Sequence, residues 1–200
     1  MNDLLAELLE LEWDEFQKVQ NVGGRAACQD DRKTFEINRK SQFAAWSRDA
    51  LTSYLDDLKT ARYQGRNLFM EKYARMMAWT NPEEYRQLEP NVPPISDYVK
   101  KLVDIIVHVQ LAWQHDFASA YARLASRGRP IRHDAGNPTV ASFEAYLRSE
   151  LLTYSVETLN HYARHIARLM QQGVNPSLTS MDLMVRLSGF ESLEQAEARS

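Results

Sequence analysis

Four ionisable residues stand on helix faces that their neighbours mark as apolar. Glu12 projects between Leu8, Leu9, Phe16 and Val19, and Arg39, with Gln42, falls on the arc set by Phe35, Phe43, Trp46 and Tyr54. Lys72 lies among Leu68, Phe69, Met76 and Trp79, and Arg148 sits with Leu151, Leu152, Leu159 and Ile166. An unpaired charge in a low-dielectric interior costs several kcal/mol, so these groups must be neutralised by one another, by water in a cleft, or by a ligand. Three are cations and one is an anion. Unless nearby Glu36, Glu71 and Glu144 supply the balance, the excess suits a carboxylate or phosphate, which the planar fork of arginine grips in two places.

The chemistry this pattern points to is the binding of a small anionic or zwitterionic ligand by Arg39, Lys72 and Arg148, with Gln42 orienting it. In an enzyme, Glu12 or Glu71 would be the general acid or base, because a carboxylate in an apolar setting can have its pKa raised into the working range. The competing reading is a sealed salt-bridge network in a non-enzymatic interaction module, for instance a helical partner of a nucleotidyltransferase domain. A third is a metal-dependent helical enzyme. The residues name no cofactor and no reaction.

A second candidate is the stretch NVGGRAACQDD, residues 21–31. Its glycines can end one helix and Asp30 or Asp31 can cap the next. Alternatively Gly23, Gly24 and Arg25 form a nest of backbone N–H groups that favours an anion. The glycines lack the spacing of a dinucleotide or P-loop motif, and no strand precedes them. Cys28 is the lone cysteine, with no histidine near it in sequence; it reads as a small buried apolar residue in preference to a nucleophile. His161 and His165 have the i, i+4 spacing that metal sites use. They share a stripe with Glu150, Tyr154, Glu157, Arg164 and Arg168 that reads as solvated, so no metal ligand set is assigned. His108 and His115 likewise share an outer face with Lys101 and Asp104.

Helices must hold all of these groups, since apolar residues recur at helical spacing almost everywhere and no stretch alternates as a strand does. Periodicity predicts helices at about 2–20, 31–63, 67–79, 82–88, 95–126, 140–172, 178–188 and 191–198, with Gly and Pro punctuation between them. The expected fold is all-α: one domain over residues 1–200, an irregular bundle of six to eight helices. Residues 21–31 form a turn, 127–138 a loop, and 173–200 a C-terminal helical appendage.

Composition narrows the partners. The chain has 200 residues, a formal net charge of −3 and a single cysteine, which excludes a disulfide framework and fits the cytoplasm. The only basic cluster, RGRPIRH at 127–133, contains a proline and reads as a loop, so nucleic acid is not favoured. Arg127 and His133 have a spacing found in helical nuclease domains, but they lie in that loop. No apolar run approaches a membrane span, and the acidic, leucine-rich start reads as no signal peptide. A protein partner stays open.

The segments EWDEF, GGRAACQDDRKTFEINRKSQFAAW, EKYARMM, YLRSELLTYS and GFESLEQAE together resemble an uncharacterised bacterial family described only as domain of unknown function 4125. The resemblance runs from about residue 12 to residue 197. It implies a free-standing bacterial domain and supplies no activity. Glu12, Trp13, Gly23, Gly24, Arg25, Cys28, Gln29, Arg39, Gln42, Glu71, Lys72, Arg148, Glu150 and Tyr154 all fall within its segments, and Asn38 stands where the resemblance leads one to expect methionine.

Overall fold

Helix starts in this chain are written in short polar side chains. Asp31, Ser47, Asn67, Ser96, Ser142, Ser155, Asn175 and Ser192 each accept a hydrogen bond from a backbone N–H two or three residues ahead, satisfying one of the donors that a first helical turn leaves open. The computed structural model describes residues 2–20, 24–134 and 140–200. Among these it contains α1 (Asn2–Gln17), α2 (Arg32–Phe43), α3 (Arg48–Tyr63), α4 (Leu68–Thr80), α5 (Pro82–Leu88), α6 (Asp97–Ala120), α7 (Ala122–Ser126), α8 (Phe143–Leu151), α9 (Val156–Gln171), α10 (Pro176–Leu187) and α11 (Leu193–Ala198), and no strand. Gly23 and residues 135–138 of the expected loop lie outside the described residues.

The chain is all-helical, as its periodicity predicts. The helices outnumber the expected six to eight because three segments that read as continuous, 31–63, 95–126 and 140–172, are each two helices. Ser47 and Ser155 adopt extended backbone and cap the helices that follow; a serine oxygen that bonds the backbone two or three residues on competes with continued helix. Apolar periodicity misses the breaks because each corner keeps a buried aromatic residue, Trp46 or Tyr154, in the apolar pattern. Trp46, in the first corner, lies 5.8 Å from Tyr154 in the second and 4.5 Å from Tyr162 of α9, measured between ring centroids. Ser155→Ala is expected to lower the unfolding free energy by about 1 kcal/mol in a urea titration, and Ser155→Gly by only a few tenths.

Three apolar clusters fill the interior. The largest joins Leu8 and Leu9 of α1 to Leu51, Leu55 and Leu58 of α3, Val103, Ile106 and Val107 of α6, Leu151 of α8 and Leu159 of α9. Phe117 gathers Val185 of α10 and Leu193 and Ala196 of α11. An aromatic cluster of Phe16, Trp13, Phe35, Phe69 and Tyr73 joins α1, α2 and α4, with Phe16 and Phe35 stacked at 5.4 Å. This last cluster and the two corners border the polar centre described next.

The stretch from 24 to 31 is a clamped turn. Gly24 takes φ +86°, which glycine adopts at little cost. Gln29, 1 % exposed, donates from Nε2 to the carbonyls of Phe16 and Val19, both at 3.0 Å. It thereby ties this turn to the end of α1, giving the Val19 carbonyl a partner and the Phe16 carbonyl a second one besides the Val19 N–H.

Candidate functional site

α1, α2, α4 and α8 converge on one buried polar cluster. Glu12 is 0 % exposed, Lys72 2 %, Glu150 4 % and Arg39 5 %. The Arg39 guanidinium grips the Glu12 carboxylate through Nε, at 2.7 Å to Oε2, and through Nη2 to Oε1. Its Nη1 donates to Glu150 Oε1 at 2.9 Å and to Gln42 Oε1 at 2.6 Å. Gln42 Nε2 returns a bond to Glu150 Oε1 at 3.2 Å. Two phenols complete the set: Tyr54 donates to Glu12 Oε1 and Tyr154 to Glu150 Oε1, each at 2.8 Å. Lys72 is caged by the rings of Phe69, Tyr73 and Tyr146, its Nζ between 4.5 and 5.0 Å from each centroid. Its Nζ donates to Tyr146 Oη at 2.8 Å and stands 3.6 Å from Glu150 Oε2.

The electrostatics follow from this geometry. Burial pushes the Glu150 carboxyl up, but the positive charges of Arg39 and Lys72 and the hydrogen bonds from Arg39 and Tyr154 outweigh it, bringing its pKa down to about 2. Burial opposes the charge on Lys72, yet Tyr146 and Glu150 raise its pKa on balance. Arg39 behaves alike, with Glu12 and Glu150 outweighing desolvation. Burial and the adjacent carboxylates hold the Tyr54 and Tyr154 phenols well above their ordinary range, so both stay hydrogen-bond donors.

Of the expected site residues, Glu12, Arg39, Gln42 and Lys72 are brought together, and the others are not. Arg148 pairs with Asp104, whose side chain is 60 % exposed, and makes no ion pair with Glu12 or Glu150. Arg25 bonds Gln17, Asp30 and the Gln29 carbonyl. Glu71 is held by Arg66 through two bonds of 2.8 Å. Glu36 pairs with Arg32 and Lys40 and Glu144 stands 3.8 Å from Arg132, so none of the three flanking acids balances the centre. Glu150 does, and its placement corrects the expected solvated stripe. That stripe holds only if 140–172 is one helix, whereas α8 ends at Leu151 and the chain turns before α9. The expected excess of cations is therefore corrected to an even set of formal charges: Arg39 and Lys72 against Glu12 and Glu150.

Little space remains beside these groups. A cavity of about 10 Å³, lined by Arg39, Tyr54, Leu68, Phe69, Lys72, Glu150 and Thr153, has room for a single water. A wider groove of about 250 Å³ opens between α1 and α2, lined by Leu5, Ala6, Leu9, Glu10, Glu36 and Lys40. It includes none of the four central charges. His161 and His165 do not act as a pair: His161 stands 3.9 Å from Glu157, while His165 Nε2 bonds the Ala45 carbonyl at 3.0 Å. Among the described residues no group of three or more His, Cys, Asp or Glu is arranged to hold a metal ion, and no helix is long and apolar enough to cross a membrane. Cys28 is exposed.

Tyr146 went unnoticed in the sequence because an aromatic residue in a helix reads as core. Glu150 and Tyr154 carried a usable signal in their i, i+4 spacing, which matches a carboxylate and the phenol that bonds it.

No curated protein and no solved structure matches the chain significantly. The family model described as "Protein of unknown function (DUF4125)" matches residues 2–198, so the chain belongs to that family.

Proposed function

We propose that the buried charges form a structural network and that the protein is a non-enzymatic interaction module, whose work is done on its outer surface against a protein partner. One observation supports this over a metabolite pocket: the Arg39 guanidinium is already spent on Glu12, Glu150 and Gln42, and the void beside it admits one water. A ligand entering here would have to displace a carboxylate from a bidentate grip, leaving that carboxylate buried without a partner. The network ties four helices into one register, in what this reading takes to be a single domain of a bacterial cytoplasmic protein.

The test is site-resolved. Carboxylates, phosphates and nucleotides are added one at a time to protein carrying isotope-labelled arginine, and the Arg39 Nε–Hε resonance is followed by NMR. It is expected to stay in place throughout. A saturable displacement of that resonance by any of these compounds would restore Arg39, Gln42 and Lys72 as ligand-binding residues, with Glu12 as the candidate acid or base.

A further inference from the structure

A cation without a carboxylate partner does exist in this molecule, one helical turn beyond the central network. Arg75 of α4 is 7 % exposed. Its Nη2 donates to the Pro93 carbonyl at 2.7 Å, and its Nε is buried with no hydrogen-bond partner. The acid nearest in sequence is Glu71, one turn earlier on α4, but both Glu71 oxygens are taken by Arg66. The groups acting on Arg75 are Glu71, Tyr85 of α5 and Arg66. Arg66, which also feels Asp57, holds Glu71, and Arg75 is left with no carboxylate within ion-pair distance among the described residues. Burial accordingly pushes the Arg75 pKa down, and Glu71 and Tyr85 only partly offset it. The other buried arginine at a helix interface, Arg39, is bound by two carboxylates, which is what burial of a guanidinium ordinarily requires.

We propose that Arg75 anchors an oxyanion site where α4, α5 and the turn leading to Pro93 meet, and that it takes the phosphate or carboxylate group of a ligand. The donor set fits that chemistry. A guanidinium presents five N–H groups in a rigid plane matched to two oxygens of one anion, and here a single contact, to Pro93, uses the Nη2 end while Nε points to no acceptor. An arriving oxyanion would give Arg75 the direct negative partner that Glu71, held by Arg66, does not supply. The site shares no residue with the central network and does not depend on how that network is read.

Inorganic phosphate and then acetate are titrated into the protein at constant ionic strength, with sodium chloride making up the balance. The readouts are the melting temperature and the arginine Nε–Hε resonances, with Arg75 assigned by its loss in Arg75→Lys. The expected result is a saturable displacement of the Arg75 resonance and a melting temperature that rises to a plateau, while the Arg39 resonance stays fixed. A response to phosphate alone assigns a phosphorylated ligand, and a response to both assigns an oxyanion of either kind. Arg75→Met abolishes the rise and, in chloride alone, melts no lower than the wild type, because it removes a buried charge that has no carboxylate partner. An Arg75 resonance indifferent to both anions overturns the proposal, and so does an Arg75→Met protein that melts well below wild type in chloride while its anion response is unchanged. If Arg75→Met does not fold, the wild-type resonance alone decides. Movement of Arg39 in place of Arg75 would instead overturn the structural reading of the centre.

Discussion

Arg39→Met is expected to lower the unfolding free energy by about 3–5 kcal/mol, the cost typical of removing one partner from a buried ion pair. Methionine preserves much of the aliphatic volume, so the loss is electrostatic. Glu12, 0 % exposed, keeps only the Tyr54 bond, and Glu150 keeps Tyr154, Gln42 and the longer approach of Lys72. Two buried carboxylates then face one cation. The stacking of the guanidinium over the Phe43 ring, 4.6 Å from its centroid, is lost as well. Urea titration at neutral pH measures the effect, with an unchanged denaturant slope showing that the end states are the same. Arg148→Met is the control. Its partner Asp104 is largely exposed, and pairs of that kind are worth about 0–1 kcal/mol. If the two substitutions cost the same, water reaches the centre and the network is not sealed.

The sequence carried the existence of this centre more clearly than its balance. Glu12, Arg39 and Lys72 contradict apolar neighbours that share their own helix, Leu8, Leu9 and Phe16 on α1, Phe35 and Phe43 on α2, and Leu68, Phe69 and Met76 on α4, so a 100° step per residue places them inward as the structure does. Arg148 and Glu150 lie on α8, just before the turn that Ser155 imposes, and projecting α8 and α9 as one helix exchanged their faces. The charged residue taken as inward pairs near the surface, and the one taken as solvated is buried. A serine whose oxygen caps a new helix inside an apolar run leaves the hydrophobic period intact on both sides, and for that reason periodicity alone does not reveal it. Arg75 escaped notice for a different cause. It sits on the edge of the α4 arc, where a long basic side chain ordinarily snorkels to water, and only the packing of the Pro93 turn over it closes that route. Gln29 was visible as part of a distinctive segment, but its task of closing the C-terminal end of α1 depends on a return of the chain that local pattern does not encode.

Acid titration should expose the depressed pKa of Glu150. Its folded pKa of about 2 lies below the 4.5 of the free side chain, so the stability it contributes is complete above about pH 4.5 and is lost as pH falls toward 2. A displacement of that size corresponds to about 3 kcal/mol, at 1.36 kcal/mol per pH unit. Arg39 and Lys72 have raised pKa values and stay charged through this window. Protonating Glu150 therefore removes a carboxylate that faces both buried cations. Glu36, Glu194 and Glu197 also have depressed pKa values and lose their charge over an overlapping range, so the wild-type curve by itself does not isolate Glu150. The comparison with Glu150→Gln does. At neutral pH the variant is the less stable protein, because Arg39 and Lys72 lose a carboxylate. As pH drops from 4.5 to 2 the wild type is expected to lose about 3 kcal/mol more than the variant, and the two urea-derived stability curves converge. Curves that run parallel across that interval would mean that the Glu150 carboxylate is no better stabilised in the fold than in water, and the ion-pair description of the centre would fall with it.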